Sequence, residues 1–154
     1  MGNARTLPAA VARRVFRADD GLLLDIVVPD ADIEAWDRTL ALVASWPGAT
    51  HVVGSQQRPP PRRFTDFRST SQAEGGCISI WVSGCQVNLH HFGDDEIELD
   101  IDPGDVGSDE SARGLLGFVA DLARAIGREV HIAPESLHAM VLLAFHPVRA
   151  EWTW

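Results

Sequence analysis

The sequence contains no lysine and no tyrosine, and all 13 of its basic residues are arginines. Enzymes that form a Schiff base, bind pyridoxal phosphate or hydrolyse nucleotides with a P-loop require a lysine amine at a fixed position. The absence of lysine therefore excludes these three classes. Cysteine is also scarce: Cys77 and Cys85 are too few for a scaffold held together by disulfides.

Long hydrophobic runs are missing as well. No stretch approaches the ~20 consecutive apolar residues of a membrane span, and the N-terminus lacks the apolar core of a secretory signal. We therefore expect a cytoplasmic protein that does not enter a membrane. A length of 154 residues with 45% apolar residues predicts a single globular domain over residues 1–154.

The negative charge of the chain is concentrated in one segment. The formal net charge is −9, and nine acidic residues and no arginine lie between Asp94 and Glu110, so the rest of the chain carries 13 of each. Nucleic acid binding depends on a basic surface, so we expect no nucleic acid partner. A basic protein is the partner that this charge distribution favours.

Periodicity predicts an α+β fold with a largely antiparallel sheet of about five to seven strands and two main amphipathic helices. Capping residues and apolar spacing place the helices at residues 33–45 and 109–126. Apolar or alternating segments predict strands at 11–16, 22–28, 51–53, 77–82, 85–92, 96–102, 129–132 and 148–154. Segments 11–16 and 22–28 form a hairpin in this interpretation, with its turn at Asp20-Gly21. The run 137–145 is apolar on all sides, so periodicity does not separate strand from helix, although we favour a strand at its end.

Residues 54–76 differ from the rest of the chain. They contain Pro59-Pro60-Pro61 and four arginines, and their large apolar residues are Phe64 and Phe67. This composition predicts a long flexible loop rich in arginine and proline.

The strands at 77–82 and 85–92 predict a hairpin around Ser83-Gly84. A tight turn there places Trp81 opposite Gln86 and Cys77 opposite His90 on a polar face of the sheet. The Trp81 ring is then either covered by a helix, which is the commoner arrangement, or exposed as the anchor of an interface.

The acidic row, which we define as Glu96, Glu98, Asp100 and Asp102, alternates with apolar residues along one strand. A period of two directs the four carboxylates to one side, ~7 Å apart, where they repel one another. Three arrangements would relieve this repulsion. In the first, solvent and salt screen the row. In the second, Arg62, Arg63 and Arg68 of the loop cover it, and in the third, it binds a basic partner.

A metal site is the weaker interpretation of the same stretch. Asp100, Asp102 and Asp105 resemble a calcium loop, but Gly104 and Asp105 stand in the reverse of the order that the motif requires. Adjacent His90 and His91 point to opposite faces of a strand. We therefore expect no metal and no cofactor.

The acidic strand, the helix that follows it and the segment 127–135, with the sequence GREVHIAPE, resemble small bacterial immunity proteins of polymorphic-toxin and contact-dependent-inhibition systems. The resemblance implies a cytosolic, non-enzymatic inhibitor that covers a basic toxin surface. Our main hypothesis combines it with the charge pattern. The predicted partner-binding residues are Glu96, Glu98, Asp100, Asp102, Asp105 and Trp81.

Two alternatives remain at this point. In the first alternative, the chain is a small enzyme or ligand-binding domain that uses the face bearing Cys77, His90 and Trp81. In the second alternative, the chain is a structural subunit that forms homodimers through its C-terminal strand, with Trp152 and Trp154.

Overall fold

A computed structural model describes residues 6–17 and 21–154. In these residues the chain forms four α-helices and one short 3₁₀ turn at Pro103–Asp105. The helices are α1 (Ala9–Val15), α2 (Ile33–Ala44), α3 (Phe64–Glu74) and α4 (Asp109–Ile126). The strands are β1 (Leu24–Val28), β2 (Thr50–Val53), β3 (Gln56–Arg58), β4 (Cys77–Val82), β5 (Cys85–His90), β6 (Ile97–Ile101), β7 (Val130–Pro134), β8 (Leu143–His146) and β9 (Glu151–Thr153).

The nine strands in the described part of the chain form one sheet in the order β3-β2-β4-β5-β6-β1-β7-β8-β9. Every neighbouring pair is antiparallel. The predicted class, α+β with an antiparallel sheet, is therefore confirmed, but nine strands exceed the five to seven expected.

One face of the sheet packs against the helices and forms the core. Alternation along β6 turns Ile97, Leu99 and Ile101 into this core, as predicted, and all three are fully buried. The long helix α4 packs on α2 and on strands β4, β7 and β8, with Leu115, Val119 and further apolar residues at helical spacing.

Local sequence signals placed several elements correctly. The Asp32 side chain accepts a hydrogen bond from the Ala35 amide at the start of α2. Ser108 accepts one from the Ser111 amide at the start of α4, and Gly127 ends that helix with a left-handed φ of 68°. In the β4–β5 hairpin, Trp81 pairs with Gln86, and Ser83 and Gly84 both have positive φ, as a tight turn requires.

The predicted first hairpin is wrong. Residues 11–16 lie in and directly after helix α1, where Ala12 and Phe16 are buried against the core. Arginine and alanine are strong helix formers, and their propensity prevails over the short apolar run. The turn expected at Asp20-Gly21 falls partly outside the described residues.

The predicted long loop at 54–76 is also wrong, because this segment contains strand β3 and helix α3. Phe64 and Phe67 are buried, three residues apart on one side of α3. The Phe64 ring stacks on the Trp36 ring with centroids 4.9 Å apart, and the Asp37 side chain accepts a hydrogen bond from the Phe64 amide. Two aromatic side chains therefore fix a helix whose remaining surface is polar.

At the C-terminal end, the 137–145 run becomes strand only from Leu143, and β9 forms an edge of the sheet, in line with the expectations for both segments. Trp152 is buried and contacts Phe145 with ring centroids 5.1 Å apart, whereas Trp154 is exposed. None of the helices in the described ranges has the length and apolar character needed to cross a membrane.

Candidate functional site on the open face of the sheet

The open face is the side of the sheet opposite the helices. Strand alternation directs Asp25, Glu98, Asp100 and Glu151 to this face, and within the described ranges it directs no arginine there. Four of the six histidines lie on it or against it instead: His90, His131, His138 and His146. Asp25, Glu98 and Asp100 lie against histidines, whereas Glu151 pairs with Arg149, at 2.9 Å.

Asp100 of the acidic row lies in a hydrogen-bonded network across β4, β5 and β6. Its Oδ2 is 2.5 Å from His90 Nε2, and its Oδ1 accepts a hydrogen bond from Asn88 Nδ2 at 2.9 Å. Asn88 Oδ1 in turn accepts hydrogen bonds from Ser79 and Gln86. Burial by itself raises the pKa of the Asp100 carboxyl, but the hydrogen bonds from His90 and Asn88 outweigh it and hold the pKa below its ordinary value.

Glu96 and Glu98 meet His138, which the segment between β7 and β8 brings to the open face. His138 Nδ1 is 2.7 Å from Glu96 Oε1, and His138 Nε2 is 2.7 Å from Asp25 Oδ2 and 3.9 Å from Glu98 Oε1. Burial lowers the pKa of His138, but the hydrogen bonds to Asp25 and Glu96 outweigh this and raise it. Burial and the neighbouring Asp25 raise the pKa of Glu98.

A third histidine cluster lies at the other side of β1. Glu129 bridges two imidazoles, with Oε1 2.6 Å from His131 Nε2 and Oε2 2.7 Å from His146 Nδ1. His146 also contacts the Thr153 hydroxyl. Histidine and carboxylate pairs thus recur over the breadth of the open face.

The three arginines expected to cover the acidic row bind elsewhere. Arg62 donates to the Ser45 hydroxyl, Arg63 lies 3.7 Å from Asp37, and Arg68 lies 3.2 Å from Asp94, outside the row. The hypothesis that this arginine-rich segment neutralises the row is therefore wrong. The picture of a solvated row also fails for Glu98 and Asp100, because both are about four-fifths buried.

Trp81, Asp102 and Asp105 form a second feature at the end of the hairpin, which we call the Trp81 patch. The expectation that a helix covers Trp81 is wrong: the residue is 58% exposed. Trp81 pairs across the hairpin with Gln86, whose amide donates to Asp105 Oδ2 at 3.4 Å. Asp102 is exposed and accepts a hydrogen bond from the Gly104 amide. Gln86 therefore connects the exposed indole to the exposed carboxylate of Asp105 at the end of the sheet that also carries Asp102.

The predicted site residues thus fall into two groups. Glu96, Glu98 and Asp100 bind histidines of the same chain, whereas Trp81, Asp102 and Asp105 face solvent. The supposed calcium ligands separate in the same way, because Asp100, Asp102 and Asp105 each have a different protein partner.

Cys77 and His90 line one shallow cavity of about 410 Å³ together with Ser71, His91 and Phe92. The Cys77 thiol lies 3.8 Å from the Ser79 hydroxyl. His90 has Asp100 on Nε2 and stacks on Phe92 with ring centroids 4.9 Å apart. The cavity is thus lined by a thiol and by an imidazole that is paired with Asp100.

Sequence reasoning missed Asp25 and His138. Asp25 carried a usable signal, because it is a charged residue inside an otherwise apolar strand, and such residues are seldom buried without a partner. His138 carried no such signal. It is 113 residues from Asp25 in sequence, and only the fold brings the two together.

Comparison of the chain with protein-family models, with curated proteins and with solved structures found no match.

Proposed function

We propose that this protein is a non-enzymatic protein-binding domain that docks a basic partner on the Trp81 patch. The observation that carries the proposal is the exposure of Trp81 at the end of the sheet where Asp102 and Asp105 are also exposed. Tryptophan is enriched among the residues that dominate binding energy at interfaces. An indole left in water between polar neighbours has a large apolar surface to bury on association.

The chemistry of the patch fits arginine or lysine side chains on the partner. A guanidinium can stack on the indole face and form an ion pair with a neighbouring carboxylate. The partly buried Glu96 and the largely buried Glu98 and Asp100 would serve this partner without touching it. Their carboxylates contribute to the negative field that speeds association, whereas the exposed Trp81, Asp102 and Asp105 contact the partner.

An immunity protein that neutralises a basic bacterial toxin is the biological role we propose for such a domain. The concentration of the excess negative charge between Asp94 and Glu110 supports this role. A toxin that acts on nucleic acid carries a basic surface, and a stoichiometric inhibitor would cover it with acidic and aromatic groups.

Copurification from the source organism tests the proposal. We expect tagged wild-type protein to recover one basic protein in stoichiometric amount, and the complex to weaken as salt is raised. Trp81→Ala and Asp105→Arg should each abolish recovery. Phe92→Ala is the matched control, because Phe92 is also exposed but lies outside the patch. Failure to recover a partner, or equal recovery with Trp81→Ala, would overturn the proposal.

A second candidate function, a small thiol enzyme or ligand-binding domain, is favoured by the cavity that Cys77 shares with His90. It predicts that Cys77 reacts with iodoacetamide faster than an ordinary cysteine at pH 7 and that His90→Ala abolishes this excess. A Cys77 thiol with ordinary reactivity in both proteins would exclude the thiol-enzyme form of this alternative.

A further inference from the structure

Three side chains from separate parts of the chain converge under the segment between β7 and β8. Asp25 comes from β1, Glu98 from the adjacent strand β6, and His138 from the segment itself. One oxygen or nitrogen atom of each lies within 4.8 Å of the corresponding atoms of the other two. His138 Nε2 is 2.7 Å from Asp25 Oδ2 and 3.9 Å from Glu98 Oε1.

These separations are near those of a coordination sphere. In a tetrahedral site with bonds of about 2.0–2.2 Å, ligand atoms lie roughly 3.3 Å apart. Shifts of well under 1 Å would bring the Nε2 contacts of His138 to this value. The two strands hold Asp25 and Glu98, so the adjustment falls mainly on the imidazole.

Burial of two carboxylates side by side calls for a cation. Asp25 is 1% exposed and the Glu98 side chain 19%. Two like charges in a site of low dielectric are costly unless a positive charge lies between them. In the described structure the basic side chain that lies against both is His138, which carries a positive charge only when protonated.

The second nitrogen of His138 provides an independent observation. Its Nδ1 is 2.7 Å from Glu96 Oε1, so the ring is oriented with Nε2 towards Asp25 and Glu98. Histidines that bind metals almost always donate their other ring nitrogen to a carboxylate or carbonyl in this way. The His138 side chain is 22% exposed, which leaves access for an ion and for water ligands.

We propose that Asp25, Glu98 and His138 form a binding site for a divalent transition-metal cation, with Glu96 as the residue that positions His138. One imidazole and two carboxylates are a donor set suited to Zn²⁺, Mn²⁺ or Fe²⁺. Three protein ligands leave at least one coordination position for water. The site is separate from the Trp81 patch, so its test is independent of any protein partner.

Isothermal titration of the chelator-treated full-length protein with Zn²⁺ tests the proposal, since Zn²⁺ binds such sites more tightly than Mn²⁺ or Fe²⁺. We expect one equivalent to bind. Glu96→Gln should lower the affinity about 10–100-fold, as loss of an orienting partner does, and His138→Ala should lower it more. His131→Ala is the matched control, because His131 lies on the same face and pairs with Glu129 outside the site. The affinity of His131→Ala for Zn²⁺ should match that of the wild type.

Far-ultraviolet circular dichroism establishes that each variant is folded, and Glu98→Gln provides a second ligand variant if His138→Ala is not. Co²⁺ absorption should report the same site and change with Glu98→Gln. Three results would overturn the proposal: no saturable Zn²⁺ binding by the wild type, equal affinity in a folded ligand variant, or loss of binding in His131→Ala alone, which would indicate an adventitious site at Glu129.

Discussion

The contact between helix α4 and the β4–β5 turn gives a sharp test of the packing that holds the Trp81 patch in place. A Cβ atom added at Gly114 would lie 1.7 Å from Ser83 Oγ and 2.5 Å from Ser83 Cβ. At Gly117, one turn further along the same helix, an added Cβ meets nothing within 4 Å. The same substitution, glycine to alanine, therefore has opposite consequences at two positions of one helix.

The magnitudes follow from helix propensity and from overpacking. Alanine is better than glycine in a helix interior by about 0.8–1.0 kcal/mol, so Gly117→Ala should stabilise the protein by roughly that amount. Gly114→Ala gains the same propensity but forces Ser83 and its turn away from the helix, at a cost of about 1–3 kcal/mol or more. We expect a net loss of about 1–2 kcal/mol and a difference of about 2–3 kcal/mol between the two variants.

Urea unfolding followed by circular dichroism measures this difference. The double variant Ser83→Gly with Gly114→Ala removes the side chain that is hit, and glycine also suits the positive φ of 49° at position 83. It should recover most of the stability lost in Gly114→Ala. If Gly114→Ala is as stable as Gly117→Ala, the packing of α4 on the turn is not as described and the reasoning fails.

Two further predictions concern α3 and the Asp100 network. Phe67→Ala should destabilise the protein by about 3–5 kcal/mol and speed amide exchange throughout α3, because a fully buried ring that anchors this helix is lost, whereas the exposed Ser69→Ala should change stability by less than about 0.5 kcal/mol. Comparable exchange of α3 in both variants would mean that the ring does not anchor it. The pKa of Asp100 is lowered by its hydrogen bonds, so its ionised form adds stability that is present above the ordinary carboxyl pKa of 3.8 and lost as pH falls through the lower native pKa. In urea unfolding, the stability advantage of the wild type over Asp100→Asn should therefore be largest near neutral pH and shrink below pH 4. A constant advantage down to pH 2 would refute the stabilising role of the ionised Asp100.

The parts of the fold that the sequence predicted are those with local signals. Asp32, Ser108 and Gly127 are capping residues, and their roles depend on backbone groups a few positions away. The β4–β5 register follows from a two-residue turn and strict alternation. Such features need no knowledge of distant contacts.

The sequence-based predictions were wrong where contacts between residues far apart in the sequence decide the structure. Helix α3 has a weak apolar face, and Phe64 and Phe67 form one only because the Trp36 ring of α2 lies against them. The acidic row was correctly directed away from the core, but its partners could not be identified. Asp100 and His90 come from neighbouring strands, whereas His138 reaches Glu96 across 42 residues of sequence. Charge counts therefore located the acidic segment and did not show which of its carboxylates remain free for a partner.

Affinity for the recovered basic partner tests the central claim, binding through the Trp81 patch, most directly. Isothermal titration of the purified partner with wild type, Trp81→Ala and Phe92→Ala would measure it at two salt concentrations. A hot-spot tryptophan contributes 2 kcal/mol or more, so we predict that Trp81→Ala weakens binding by about 30-fold or more. Phe92→Ala should bind within about threefold of the wild type. Equal affinities for wild type and Trp81→Ala would contradict the account.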